Sequence, residues 1–231
     1  MKLLLTSNGL SNDSIAQAFA ELIGKEPKDS KVAFIPTAAN PERGNKDWLI
    51  NDMKRILDRG YEVDVVELTA LKPEEIRVLQ AVDAVFVGGG NTFYLSYWMQ
   101  KAGLFDILSE LLNTTVYAGI SAGSMVAGQS LVLSSQALNN DRAFKDDYYD
   151  ELGPKGQSAG QALKLVDLIF RPHLNSRYFS MVRKDILEEK VRGLGLRYPV
   201  YALDDMSALK IVDGNVEVVT EGEWLCLDPN D

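Results

Sequence analysis

The sequence predicts an α/β protein of three layers, a mostly parallel sheet with helices on both faces. Three observations carry this. Short apolar runs, among them Lys2–Thr6, Lys31–Ile35 and Ala84–Val87, alternate with segments of helical period through the first half of the chain. Those runs are apolar at consecutive positions, the pattern of strands buried on both faces. Two strands also run into glycine-rich turns before the next helix, Gly88-Gly89-Gly90 and Gly119-Ile120-Ser121-Ala122-Gly123. Right-handed crossovers between parallel strands gather the strand C-termini, and the loops leaving them, on one edge where ligands bind.

The first strand, Lys2–Thr6, leads to a helix opening at Ser11-Asn12-Asp13-Ser14, whose short polar side chains suit a cap. Ile15, Phe19 and Leu22 then share one face of that helix. Lys31–Ile35 is the second strand, broken by Pro36 and the turn-forming run to Pro41. Residues 46–58 place Trp48, Leu49, Met53 and Leu57 in a helix that Gly60 closes. A third strand covers 62–67, and Lys72-Pro73-Glu74-Glu75 starts another helix. Ala84–Val87 is a short buried strand. Helices over 93–100 and 105–112 lead to the strand before Ser121, and small residues carry the next helix to Gly128.

The second half changes character. Residues 134–161 are polar, rich in Asn, Asp, Gly and Ser, and include Tyr148 and Tyr149. A loop of that length in a compact domain points to a lid, a binding loop or disorder, with helix in part of it as an alternative. A strand over 165–171 and a helix over 175–191 follow. Short strands then cover 200–203, 208–212, 216–219 and 223–227, with Asp213-Gly214-Asn215 as a hairpin turn. With no repeat, low-complexity tract or linker, residues 1–231 read as one domain.

Composition narrows the function. The 231 residues carry a formal net charge of −9 and no basic block, which argues against nucleic acid. No apolar run reaches the roughly 20 residues that span a bilayer, and the first residues read as a core strand, not as a signal peptide. One cysteine, Cys226, excludes an internal disulfide and fits a reducing cytoplasm. One histidine and scattered carboxylates make no zinc site, so neither metal nor cofactor is expected. Small molecules or short peptides are the expected partners.

Four places carry candidate chemistry. Ser121 sits in Gly-x-Ser-x-Gly between an apolar strand and a small-residue helix, the context that holds a serine in the open with helix N–H groups beside it. The plainer alternative is a glycine-rich turn with an inert serine. His173, the only histidine, follows a short apolar strand and would lie on the same edge. A serine nucleophile needs a base near neutral pKa, which histidine supplies; a lone histidine otherwise serves the surface or the core. Gly88, Gly89 and Gly90, with Asn91 and Thr92, suit an oxyanion hole or anion nest, or a tight turn with a capped helix. A P-loop lysine is absent. Asp205, in the pair Asp204-Asp205, is a candidate to orient the imidazole, or one half of a solvated turn; Asp141 and Asp150 compete for the role.

Taken together, Val87-Gly88-Gly89-Gly90-Asn91-Thr92, Gly119-Ile120-Ser121-Ala122-Gly123, Pro172-His173 and Asp204-Asp205-Met206-Ser207-Ala208-Leu209 resemble the peptidase E (aspartyl dipeptidase) and cyanophycinase family of serine peptidases. The resemblance runs from Met1 to the final strands and includes Phe34-Ile35-Pro36-Thr37-Ala38. It implies a fold similar to the class I glutamine amidotransferase domain, with serine in place of that group's cysteine. It further implies Ser121 as nucleophile, His173 as base, and the N–H groups of Gly89 and Ala122 as oxyanion hole. Family members commonly carry glutamate where this chain has Asp205. An aspartate shortly after the serine has also been assigned to the triad, and ungapped counting places Gln136 there. Arg171 and Arg177 are the candidate anion binders for an aspartyl substrate. Arg171 is the better placed of the two if strand alternation continues to His173. Two rival readings are an α/β-hydrolase esterase and a non-catalytic module that binds an anion on the glycine loop.

Overall fold

The computed structural model describes residues 1–134 and 161–228. Seven strands form the main sheet: β1 (Lys2–Thr6), β2 (Lys31–Ile35), β3 (Glu62–Val65), β4 (Ala84–Val87), β5 (Val116–Ile120), β8 (Ser207–Val212) and β9 (Asn215–Thr220), in the order β3-β2-β4-β5-β1-β8-β9. The five strands from β3 to β1 run parallel, whereas β8 and β9 are antiparallel additions. A second sheet of three strands has the order β10-β7-β6, from β6 (Ile169–Arg171), β7 (Val200–Leu203) and β10 (Trp224–Leu227).

Helices cover both faces of the main sheet because its strands are apolar on both sides. Leu4, Phe34, Phe86, Ala118 and Ile120 point toward α1 (Asp13–Ile23) and α2 (Asp47–Leu57) and pack with Phe19 and Ile56. Leu3, Leu5, Val85, Val87 and Tyr117 point the other way. There they meet α3 (Thr92–Lys101), α4 (Leu104–Leu111) and α5 (Ala122–Ala127). The expected start of α1 is present: Asn12 accepts the Ile15 N–H, and Gly24 ends the helix in the left-handed region.

Four elements differ from expectation. The third strand stops at Val65, since the Glu67 side chain accepts from Thr69 N and opens a 3-10 turn. Residues Pro73–Ala81 wind as a 3-10 helix in place of an α-helix. The strand expected over 165–171 shortens to Ile169–Arg171, because Leu163 and Leu165 donate to Val126 and Ala127 of α5. The helix expected over 175–191 begins only at α6 (Lys184–Leu194). His173 and Asn175 take positive φ, and Arg183 donates to the carbonyls of Ser176, Phe179 and Val182, so residues 175–183 turn tightly instead. The proposed lid, together with Gln136, Asp141 and Asp150, lies almost wholly outside the described residues.

Candidate active site

The elbow at Ser121 follows from two glycines and a buried serine. A Cβ on Gly119 would stand 2.6 Å from the backbone of Gly123 and Ser124, and one on Gly123 would stand 2.2 Å from the Val87 carbonyl oxygen. Only hydrogen fits at both positions, so α5 can press against β5 and β4. Ser124 secures the turn from below: its Oγ donates to Thr6 O and accepts Thr6 N–H, at 2.8 and 2.9 Å. The Tyr117 hydroxyl donates to Gly123 O, and burial raises its pKa above the ordinary tyrosine value, keeping it a donor. Between these ties Ser121 is held at φ 49, ψ −105, a conformation that costs about 1–3 kcal/mol and persists only where its surroundings impose it.

Ser121 occupies the N-cap position of α5, yet its side chain makes no capping bond. Its Oγ lies instead 2.9 Å from Nε2 of His173, whose Nδ1 lies 2.6 Å from Oδ1 of Asp205. With the proton on Nδ1 facing the carboxylate, Nε2 is left to accept the serine hydroxyl. The neighbouring Asp204 does different work. Its oxygens accept from Met206 N, Ser207 Oγ and Glu223 N, binding the turn after β7 to the start of β10. Of the Asp204-Asp205 pair, one carboxylate shapes the turn and the other meets the imidazole.

Gly89 adjoins the serine. A Cβ placed on it would lie 3.3 Å from Ser121 Cβ, and no acceptor among the described residues takes its N–H. Ala122 is the first residue of α5, where N–H groups have no partner within the helix. The rest of the glycine loop is committed elsewhere. Gly88 N donates to Ile35 O, and Gly90, at φ 131, packs so tightly on Ala38 that a Cβ would stand 2.1 Å from its carbonyl oxygen.

Two expected substrate-binding side chains are placed otherwise. Asn91 caps α3 by accepting Tyr94 N–H, while its own N–H donates to Ala38 O. Arg171 is 2% exposed, with Nη1 donating to Leu133 O, and burial brings its pKa down to about 10. The guanidinium stays charged but faces the interior, because β6 ends at Arg171 and the positive φ of His173 stops the alternation that would have aligned them. Arg177 is exposed, four residues after His173, with its guanidinium 4.6 Å above the Tyr178 ring.

Several contacts around His173 had no reading in the sequence. Phe179 stacks on the imidazole at 4.3 Å and 4°. Ser11 Oγ donates to Asp205 O and Asn12 Nδ2 to Met206 O, so the β1–α1 loop grips the acid-bearing turn. A small polar run at the end of a first strand was the available signal for that loop; nothing marked Phe179.

A strained serine at a strand-to-helix turn, touching an imidazole backed by a carboxylate, is the arrangement found in serine hydrolases. The chain order of serine, histidine and aspartate departs from the serine, acid, histidine order of α/β-hydrolases, which counts against the esterase reading. Comparison with known proteins narrows the class. Residues 3–219 match peptidase family S51, and the chain belongs to that family; it is a serine-type peptidase. It is 28% identical over 227 residues to peptidase E of a Nostoc species, covering 94% of this chain and 85% of that protein. To peptidase E of Haemophilus influenzae it is 30% identical over 158 residues, 66% of this chain and 61% of that one. Its fold is similar to that of a Listeria monocytogenes protein assigned to peptidase E, with a TM-score of 0.71 at 22% identity over 96% of this chain and 98% of that one. Among the described residues no helix is long and apolar enough to cross a membrane.

Proposed function

We propose that this peptidase cleaves very short peptides, N-terminal Asp-X dipeptides among them, through an acyl-enzyme formed on Ser121. The observation that carries the reading is the unbroken series of contacts from Ser121 Oγ through His173 to Asp205. Ser121 Oγ attacks the peptide carbonyl as Nε2 takes its proton, and the N–H groups of Gly89 and Ala122 receive the oxyanion. The C–N bond then breaks as Nε2 returns the proton to the leaving amine. Water, deprotonated by the same nitrogen, cleaves the ester and restores the serine. Asp205 keeps the imidazole in the required tautomer and steadies the imidazolium.

For the acidic side chain of the substrate, Arg177 is the candidate cation among the described residues, since it is exposed on the segment that follows His173 while Arg171 is buried. The test compares hydrolysis of Asp-Leu, Asn-Leu and Ala-Leu by the wild type, Ser121→Ala and Arg177→Met. Ser121→Ala should lose about 10³-fold or more and should no longer be labelled by a fluorophosphonate. Arg177→Met should erase a preference for Asp-Leu while leaving Ala-Leu turnover near that of the wild type. Near-normal turnover by Ser121→Ala would refute the acyl-enzyme, and a wild type indifferent to the acidic residue would refute the aspartyl preference.

A further inference from the structure

The three groups that meet at the site come from different sheets. Ser121 leaves β5 of the seven-stranded sheet, whereas His173 follows β6 and Asp205 follows β7 of the three-stranded one. Their separation is therefore set by whatever joins the sheets at that edge. Two consecutive residues at the end of β1 do this. The Thr6 carbonyl accepts the N–H of Ser121 at 2.9 Å. Ser7, fully buried, donates its hydroxyl to Leu203 O at 2.8 Å and accepts the N–H of His173 at 3.3 Å.

We propose that Ser7 is the positioning residue that sets His173 against Ser121, holding the imidazole-bearing backbone through its hydroxyl. This rests on the triad reading given above. His173 has φ 66, a left-handed conformation uncommon for a residue with a side chain. Such a backbone persists only where its neighbours over-determine it. Leu174 N–H is bound to Leu203 O, the carbonyl that also takes the Ser7 hydroxyl, so Ser7 completes the clamp on both sides of the His173 peptide. The other contacts act elsewhere: Phe179 backs the ring, Ser11 and Asn12 hold the acid-bearing turn, and none of them binds the His173 N–H. Removing the Ser7 hydroxyl orphans a buried N–H and frees the backbone to leave positive φ. That shift carries Nε2 away from Ser121 Oγ, and displacements near 1 Å cost about 100-fold in rate.

Because His173 is the only histidine, its imidazole resonances in an NMR spectrum report one residue without assignment. In Ser7→Ala, kcat should fall about 10- to 100-fold with KM little changed. The His173 imidazole resonances should shift as well, since the ring loses its close contacts with Ser121 and Asp205. Ser207→Ala is the control: it deletes another buried hydroxyl, bound to Asp204 and Thr220, and should lower Tm while leaving kcat and the His173 resonances as in the wild type. Should Ser7→Ala not fold, Ser7→Cys retains the volume with a weak donor and should show the same losses to a smaller degree. A folded Ser7 variant with wild-type kcat and wild-type His173 resonances overturns the proposal. So does Ser207→Ala if it moves both readouts as Ser7→Ala does. The spectrum needs no turnover, so a chain that cleaved none of the peptides offered would fail the substrate reading and still decide the role of Ser7.

Discussion

Asp52 lies on the inner face of α2 with 5% of its surface exposed, one carboxylate oxygen near Gly9 and Nη1 of Arg55 3.7 Å away. Burial pushes its pKa from 3.8 up to about 7, and Arg55 offsets only part of that cost. In the unfolded chain the carboxyl loses its proton near pH 4; in the folded protein it keeps the proton until about pH 7. The folded state therefore binds the extra proton between those values, and stability falls as pH rises through that window and levels off above it. About three pH units at about 1.4 kcal/mol each set an upper limit near 4 kcal/mol. Asp52→Asn keeps the shape and removes the charge. Because Arg55 then keeps only its bond to Asn8 O and loses the ion pair, and the new amide needs an acceptor, the gain at pH 8 should be about 1–3 kcal/mol. At pH 5, where Asp52 is already neutral in the folded state, the variant should match the wild type or fall slightly below it. Urea unfolding of both proteins at half-unit steps from pH 5 to 8 measures the difference directly. A difference independent of pH would refute the assignment of a protonated buried carboxyl.

Gly123→Ala should cost about 3 kcal/mol of stability and most of the activity of whatever folds, because the new methyl meets the Val87 carbonyl; thermal melts and active-site labelling check both. The two adjacent aspartates should separate cleanly. Asp205→Asn should lower kcat by about 10²- to 10⁴-fold with little change in Tm. Asp204→Asn places an amide donor among three donors and should lower Tm while leaving kcat of the folded fraction nearly intact.

The parallel core and the elbow were legible because their signals are local. Consecutive apolar residues announced β1, β2, β4 and β5, and the glycines at 119 and 123 marked a turn that only they permit. His173 stood out by being the only residue of its type. What escaped depends on pairings distant in sequence. Nothing in the strands at 169–171, 200–203 and 224–227 says that they leave the main sheet, since each is short and apolar in either setting. Arg171 was misplaced for a geometric reason: alternation was carried past the end of β6, into a residue with positive φ. The helix expected over 175–191 starts late because Arg183 spends its donors on carbonyls of the preceding turn, a pairing that no local pattern registers. Asn91 shows a different ambiguity. A helix cap and a ligand-binding amide use the same side chain, and here the cap takes it.

The placement of β1 governs how the molecule assembles itself. β1 sits between β5 and β8, with Leu3 opposite Tyr117 on one side and Ile211 on the other. β1 thus waits for two neighbours that lie far along the sequence, at 116–120 and 207–212. Pairings of such sequence separation require large loops to close first, which slows folding and leaves backbone edges open meanwhile. Until residues 207–212 arrive, one edge of β1 is unsatisfied, and the sheet that carries His173 and Asp205 has no fixed place against the one that carries Ser121. A chain collapsed around its parallel strands would contain the formed elbow without His173 beside Ser121. Closing the site therefore depends on pairings that span most of the sequence.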